Sequence, residues 1–404
     1  MRRKVKVSDV RLGMYIDELC GSWMDHPFWR TSFLLEDAGD LDTLRKSAVR
    51  DVWIDTTRGL DLLIPPEYDD EAATEQYTEA VLLQAVEPEP ARPQQTSLEG
   101  ELARARVVQA RAKQAVMDMF AEARMGNALP TGAIAGLVDE IDQSVARNSG
   151  ALLSLVRLKD KDDYTYLHSV AVCALMLALG RQLGLSQQLS RTLGMAGLLH
   201  DVGKMAIPSQ VLDKPGRLTD EEFAIIKSHP ELGWDLLRKT QIEDEIVLDV
   251  CRHHHERVDG TGYPDGLSGE ALSLYARMGA VCDVYDAVTS NRCYKAGWAP
   301  ADALRKMAGW QDGHFDDRIF KAFVKTVGIY PVGTLVRLKS GRLGVVVGQS
   351  AKSLLLPVVK VFFSTLSNAR IRMEQIDLSL AGDAVNGVED PDVWRFDVAQ
   401  IMAA

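Results

Sequence analysis

Six of the chain's eight histidines (His168, His200, His229, His253, His254 and His255) fall within fewer than ninety of its 404 residues. They lie among apolar runs of helical period, so folding must bring several imidazoles into an otherwise apolar interior. Imidazoles are costly to bury unless they are neutral and hydrogen-bonded or bound to a cation. The crowding therefore favours a bundle of helices around a polar centre.

The run YLHSVAVCALMLAL puts His168, Ala171, Val172 and Leu175 at helical spacing, on a face that is otherwise core. Alone, such a histidine is usually a hydrogen-bonded core residue. MAGLLHDVGK then ends an apolar helix on adjacent His200 and Asp201, whose side chains point ~100° apart, so the histidine can serve one cation and the carboxylate two. Lys204 follows Gly203, where a cation could reach an anionic substrate or simply sit in solvent. His229 stands at a helix boundary marked by Pro230 and Gly233. CRHHHERVDGTGYPDG supplies consecutive histidines followed by a loop, and AVCDVYDAVTSNRCYK places Asp283 and Asp286 nearly one turn apart.

Taken singly, each of these leans structural. Together they offer a bridging-type carboxylate, four or five imidazoles and a further aspartate. Mixed His and Asp donors suit iron, manganese, nickel or zinc, and the absence of cysteine from the set disfavours a structural zinc site. Two metals ~3.5–4 Å apart are the usual arrangement for phosphoester hydrolysis.

Composition narrows the class further. Five scattered cysteines with no CxxC pair indicate neither a disulfide framework nor a zinc ribbon. The net charge of -11 argues against a nucleic-acid polymer as partner, although a small phosphorylated ligand remains compatible with it. No run approaches the ~20 apolar residues of a membrane span, and the basic start lacks the apolar core of a signal peptide. A cytoplasmic location is expected.

Residues 1–66 read as a small α/β or β-rich domain, with strands in VKVSDVRLGMYI and VRDVWID and the short helix LDTLRKSAV between them. Residues 67–97, rich in acid and proline, read as a linker. A helical connector is expected over 98–150, with helices at Leu98–Asn127 and Ala133–Asn148 and Thr131 as a candidate N-cap. A long helical region covers 151–330. Residues 331–404 read as a small β-rich unit, with two runs around a Ser340-Gly341 turn and a third in VVKVFF. The chain is thus expected to be multidomain with an all-α centre. Trp23, Phe28 and Trp29 read as core of the first domain rather than an interaction patch.

The series His168, His200-Asp201, His229, His254-His255 and Asp283 resembles the HD superfamily of metal-dependent phosphohydrolases. HHERVDGTGYPDGL, HDVGK and RCYK resemble its HD-GYP branch over 151–330. RLGMYID and WMDHPFW resemble a domain of unknown role that commonly precedes it. The resemblance implies a cyclic di-GMP phosphodiesterase of bacterial signalling, yielding pGpG and, if a second cut follows, GMP. It implies His168, His200, Asp201, His229, His254, His255 and Asp283 as ligands of two divalent metals, iron or manganese in first place and nickel or zinc as alternatives. Asp201 would bridge and, with Lys204, be catalytic. Lys204, Arg292 and Lys295 would hold substrate phosphate, with Asp286 as an orienting or substrate contact. Gly262, Tyr263 and Pro264 would form a loop that contacts GGDEF-domain partners, and a homodimer is also expected.

The pattern also departs from the family. His253 is an extra histidine outside the ligand pair, and Val258 and Cys293 replace a frequent tryptophan and proline. Tyr164 stands where members with three metals carry glutamate, which favours two. The competing readings are a metal-containing sensor with little turnover and an HD phosphohydrolase acting on another nucleotide.

Overall fold

The computed structural model describes residues 2–403 apart from 21–27, 29–31, 48, 61–95, 128, 158–163, 215, 217, 241, 291–296, 311–312 and 351, and apart from the Tyr164 side chain. Most of the expected linker, Trp23, Trp29, Arg292, Cys293 and Lys295 therefore lie outside the described residues. The chain is multidomain and divides into two compact units, 1–83 with 305–312 and 84–304 with 313–404.

The first unit is a small antiparallel sheet with one helix. Its strands are β1 (Arg2–Lys6), β2 (Tyr15–Leu19), β3 (Phe33–Leu34) and β4 (Asp51–Asp55), ordered β1-β4-β2-β3. Helix α1 (Ala38–Lys46) starts where the Asp37 side chain accepts the Gly39 and Asp40 N–H groups. The apolar run after Lys4 is interrupted by a 3-10 turn at Val7–Asp9 and by Gly13 at φ +88°. A Ser-Asp pair and a left-handed glycine favour turns over a continued strand. Alternate residues from the strands fill the core, among them Val5, Ile16, Val52 and Ile54, with Leu44 from α1. Phe28 joins this core edge-to-face on Phe33, with ring centroids 4.9 Å apart.

The second unit is built on helices. A hairpin of α2 (Leu98–Met125) and α3 (Thr131–Arg157) packs on α4 (Tyr164–Gln182), followed by α5 (Gln187–Leu199), α6 (Asp220–Lys227), α7 (His229–Lys239), α8 (Glu245–His253), α9 (Leu274–Thr289) and α10 (Asp317–Val327). Residues 98–150 thus sit in the same unit as the helices that follow. Thr131 is the first helical residue of α3, and the helix loses helical geometry at Asn148, whose side chain donates to the Thr96 carbonyl at 3.1 Å. The hairpin is pinned by Glu101, whose buried carboxylate accepts from Ser144 Oγ (2.9 Å) and from Arg147 Nε (2.7 Å) and Nη2 (2.8 Å). Burial pushes the Glu101 carboxyl up, but Arg147 and Ser144 outweigh it and leave it below the ordinary value.

Helix α4 is buried along Leu167–Leu179 and touches α2, α3, α5, α9 and α10. A helix surrounded in this way is apolar on every face. His168 and Ser169 are its buried polar exceptions, and an imidazole there needs partners.

Residues 331–404 pack as a five-stranded antiparallel sheet within the same unit. Its strands are β5 (Leu335–Leu338), β6 (Arg342–Gly348), β7 (Val358–Ser364), β8 (Ala369–Asp377) and β9 (Val385–Val388), ordered β8-β7-β6-β5-β9. The hairpin around Ser340-Gly341 pairs Arg337 with Leu343. Among the described residues no helix is long and apolar enough to cross a membrane.

Candidate metal centre

Seven donors converge where five segments meet. His168 comes from the first turns of α4, and His200 and Asp201 follow the last residue of α5. His229 opens α7, His254 and His255 follow α8, and Asp283 lies on α9. His168, His200, Asp201, His229, His254 and Asp283 are almost fully buried.

Helix ends explain three of these placements. The last four carbonyls of an α-helix lack intrahelical partners. His200 Nδ1 lies 2.7 Å from the Gly197 carbonyl, and His229 Nδ1 lies 2.7 Å from that of Ile226, near the end of α6. His254 Nδ1 lies 3.1 and 3.0 Å from the carbonyls of Val250 and Cys251. A carbonyl only accepts, so each Nδ1 donates, and each Nε2 is left with a lone pair. Asp286 does the same for His168, with Oδ2 2.7 Å from Nδ1.

The lone pairs then face one another. His168 Nε2 and His200 Nε2 are 3.3 Å apart, and His229 Nε2 and His254 Nε2 are 3.2 Å apart. With Nδ1 protonated, neither member of a pair has a hydrogen to offer, and the arrangement calls for a cation between them. Asp201 spans both pairs. Its Oδ2 lies 3.3 and 3.4 Å from Nε2 of His168 and His200, and its Oδ1 lies 3.2 and 3.7 Å from Nε2 of His229 and His254. That Oδ1 is buried and accepts no hydrogen bond. Asp283 Oδ1 approaches His168 Nε2 to 3.0 Å, and its Oδ2 lies 3.7 Å from His255 Nδ1. The donors fall into two sets, His168-His200-Asp283 and Asp201-His229-His254-His255.

The protonation states suit cation binding. Burial pushes Asp201 up, but Lys204 and His200 hold it well below the usual carboxylate range. His168 and His200 do the same for Asp283. Burial pushes His229 down, and burial with neighbouring imidazoles takes His254 down to about 3 and His255 well below the usual value. His200 differs: burial lowers it, but Asp201 and Asp283 outweigh burial and leave it raised. Lys204 and His200 offset part of the charge on the two carboxylates, and the remaining carboxylate oxygens and imidazole lone pairs suit a divalent cation. The residues present therefore fit a divalent-metal site.

The remaining expectations have definite places. Lys204 Nζ lies 2.5 Å from Asp201 Oδ2. Gly203 lets this turn seat against α7, since a Cβ there would lie 1.9 Å from the His229 carbonyl. Asp286 is buried, with its Oδ2 against Nδ1 of His168. His253 points elsewhere, to Asp249 (2.7 Å) and Asp265 (3.0 Å). Tyr263 stacks on His255 with centroids 4.8 Å apart and planes at 27°, which joins the Gly262-Tyr263-Pro264 loop to the centre.

Glu256 was not singled out by sequence. It is buried, and its Oε1 accepts the N–H groups of Asp265 (2.7 Å) and Gly266 (2.9 Å), while Oε2 accepts that of Leu267 (3.1 Å). The signal was a carboxylate directly after two buried histidines and before a glycine-rich loop.

Comparison with known proteins gives two family matches. The model described as a domain of unknown function (DUF3391) matches residues 2–134, and that described as an HD domain matches residues 148–319. The chain is 55% identical over 399 residues to the cyclic di-GMP phosphodiesterase PA4108 of Pseudomonas aeruginosa, covering 98% of this chain and 94% of that protein. It is 38% identical to the cyclic di-GMP phosphodiesterase response regulator RpfG of Xanthomonas campestris, over 46% of this chain and 50% of that one. Among solved structures, Bd1817, an HDG"Y"P protein of Bdellovibrio bacteriovorus, aligns with a TM-score of 0.46 and 20% identity over 80% of this chain and 98% of that one.

Proposed function

The chain belongs to the HD-GYP family of cyclic di-GMP phosphodiesterases, and from this we propose that it hydrolyses cyclic di-GMP to pGpG, and to GMP if a second cut follows. The carrying observation is the pair of imidazole sets bridged by Asp201, in which fixed Nδ1–H donors leave facing Nε2 lone pairs. His168, His200 and Asp283 would hold one divalent ion, and His229, His254 and His255 a second, with Asp201 shared. A donor set without cysteine favours iron or manganese, with nickel or zinc as alternatives. When bound, such ions supply Lewis acidity that activates water near neutral pH and offsets charge on a phosphodiester.

The protein's own residues then position and neutralise. Asp286 and the carbonyls of Gly197, Ile226, Val250 and Cys251 hold His168, His200, His229 and His254 each in one tautomer, so these four need no reorganisation at the moment of reaction. Lys204 compensates Asp201 and offers its remaining N–H donors to an equatorial phosphate oxygen. Arg292 and Lys295 would complete phosphate binding. The Gly262-Tyr263-Pro264 loop would be the contact for GGDEF-domain proteins, and a homodimer and cytoplasmic action accompany this reading.

The test is turnover of cyclic di-GMP by anaerobically purified, metal-analysed protein, with pGpG and GMP separated by chromatography. A panel containing the mixed guanine-adenine cyclic dinucleotide and nucleoside mono- and triphosphates runs alongside. Preferred turnover of cyclic di-GMP supports the reading. A fully metallated, reduced sample that turns over another nucleotide, or nothing, overturns it.

A further inference from the structure

A second lysine borders the centre. Lys227 is the last residue of α6, two positions before His229, and the Ile226 carbonyl beside it takes the His229 Nδ1 hydrogen bond. Its ammonium lies 4.9 Å from the Phe223 ring centroid and 5.0 Å from that of Tyr263. Tyr263 itself stacks on His255. Lys227 is thus one ring removed from a proposed metal ligand, in the segment that carries another.

Among the described residues no carboxylate lies within ion-pair distance of Lys227, whereas Lys204 pairs with Asp201 and Lys214 with Glu222 at 2.6 Å. Contact with two aromatic faces favours the cation through the ring quadrupoles. That offsets part of the rotamer entropy a lysine loses when it is fixed. A half-buried lysine with no counter-carboxylate among the described residues suits a ligand that brings its own negative charge.

We propose that Lys227 is a specificity-determining residue that binds the second, uncleaved phosphate of a cyclic dinucleotide while the other is cleaved at the metal centre. The inference rests on the proposed function. A cyclic dinucleotide carries two phosphodiesters on one ring, so seating one at the metals directs the other outward, to the border of the site. The Phe223–Lys227–Tyr263 shelf offers a cation there, and Lys204 serves the scissile group.

The experiment compares wild type with Lys227→Ala, Lys227→Met and Lys227→Arg in the full, metal-replete chain. The substrates are cyclic di-GMP and bis(4-nitrophenyl) phosphate, which has one phosphodiester and no second phosphate. Loss of one charge-assisted contact predicts a KM for cyclic di-GMP raised about tenfold in the Ala and Met variants, with kcat within about twofold. The Arg variant recovers most of that loss, and the single diester is affected far less. An unchanged KM overturns the inference, as do equal losses on both substrates or a fall in metal content, each of which marks a structural role. If wild type cleaves the single diester but not cyclic di-GMP, the substrate assignment falls, and the inference with it.

Discussion

Glu256 offers a quantitative test of how the loop beside the centre is held. Its carboxylate takes three backbone N–H groups, from Asp265, Gly266 and Leu267, and is buried while doing so. A hydrogen bond to a charged group contributes about 1.5–3 kcal/mol, and an unsatisfied buried donor costs about 1–3 kcal/mol. The three bonds share one carboxylate and are not additive, and the loop is near enough to solvent for water to replace part of them. The expected local cost of Glu256→Ala is therefore about 2–4 kcal/mol. Amide hydrogen exchange across 259–268 reads this directly. At ~1.4 kcal/mol per tenfold, protection there should fall by roughly 30- to 700-fold. Glu256→Gln keeps an acceptor for two amides but can turn its NH2 group on the third, so it should fall between the two. Helix α4, remote in sequence, should keep its protection. Unchanged exchange over 259–268 in Glu256→Ala would refute the clamp, and uniform loss across the second unit would show global rather than local destabilisation.

Other consequences can be measured separately. Gly203→Ala inserts a methyl 1.9 Å from the His229 carbonyl; we expect metal content to fall towards one ion per chain and turnover to drop about 100-fold or more, as read by elemental analysis and initial rates. Asp286→Asn leaves the His168 tautomer less firmly set and should weaken metal affinity by about 10- to 100-fold in competition with a chelator. Glu101 titrates below its ordinary value when folded, so its contribution is complete above the unfolded-state pKa and is lost as pH falls through the lowered folded value. The stability gap between wild type and Glu101→Gln should shrink over that acid range in denaturant titrations, and a gap that grows on acidification would contradict the sign. Removing metal with a chelator should lower the midpoint of thermal unfolding by several degrees, reversed by adding back manganese or ferrous ion under anaerobic conditions.

How much was legible in the sequence depended on whether the information was local. His200 and His254 follow the ends of helices, where carbonyls are open to a side-chain donor, so their chemistry and their position are readable together. His168 is readable only because it is the one imidazole on a helix with no polar face. Asp286 left its role open: i,i+3 spacing from Asp283 gives the helix face, but only the crossing of α4 and α9 puts its oxygen on His168 Nδ1. The loop clamp of Glu256 likewise depends on a turn that brings residues 265–267 back to it. In the flanking sheets, β8 carries mostly exposed residues, with Arg370, Arg372 and Glu374 among them, so the apolar alternation that marks a half-buried strand is weak. The break between β1 and β2 turned on a 3-10 turn whose residues also suit strand ends.

The central claim, two cations shared across Asp201, is tested most directly by anomalous diffraction from crystals of anaerobically reconstituted protein. Two peaks ~3.5–4 Å apart on either side of the Asp201 carboxylate, one against His168, His200 and Asp283 and one against His229, His254 and His255, are the predicted result. A single peak, or metal bound away from Asp201, would contradict the account.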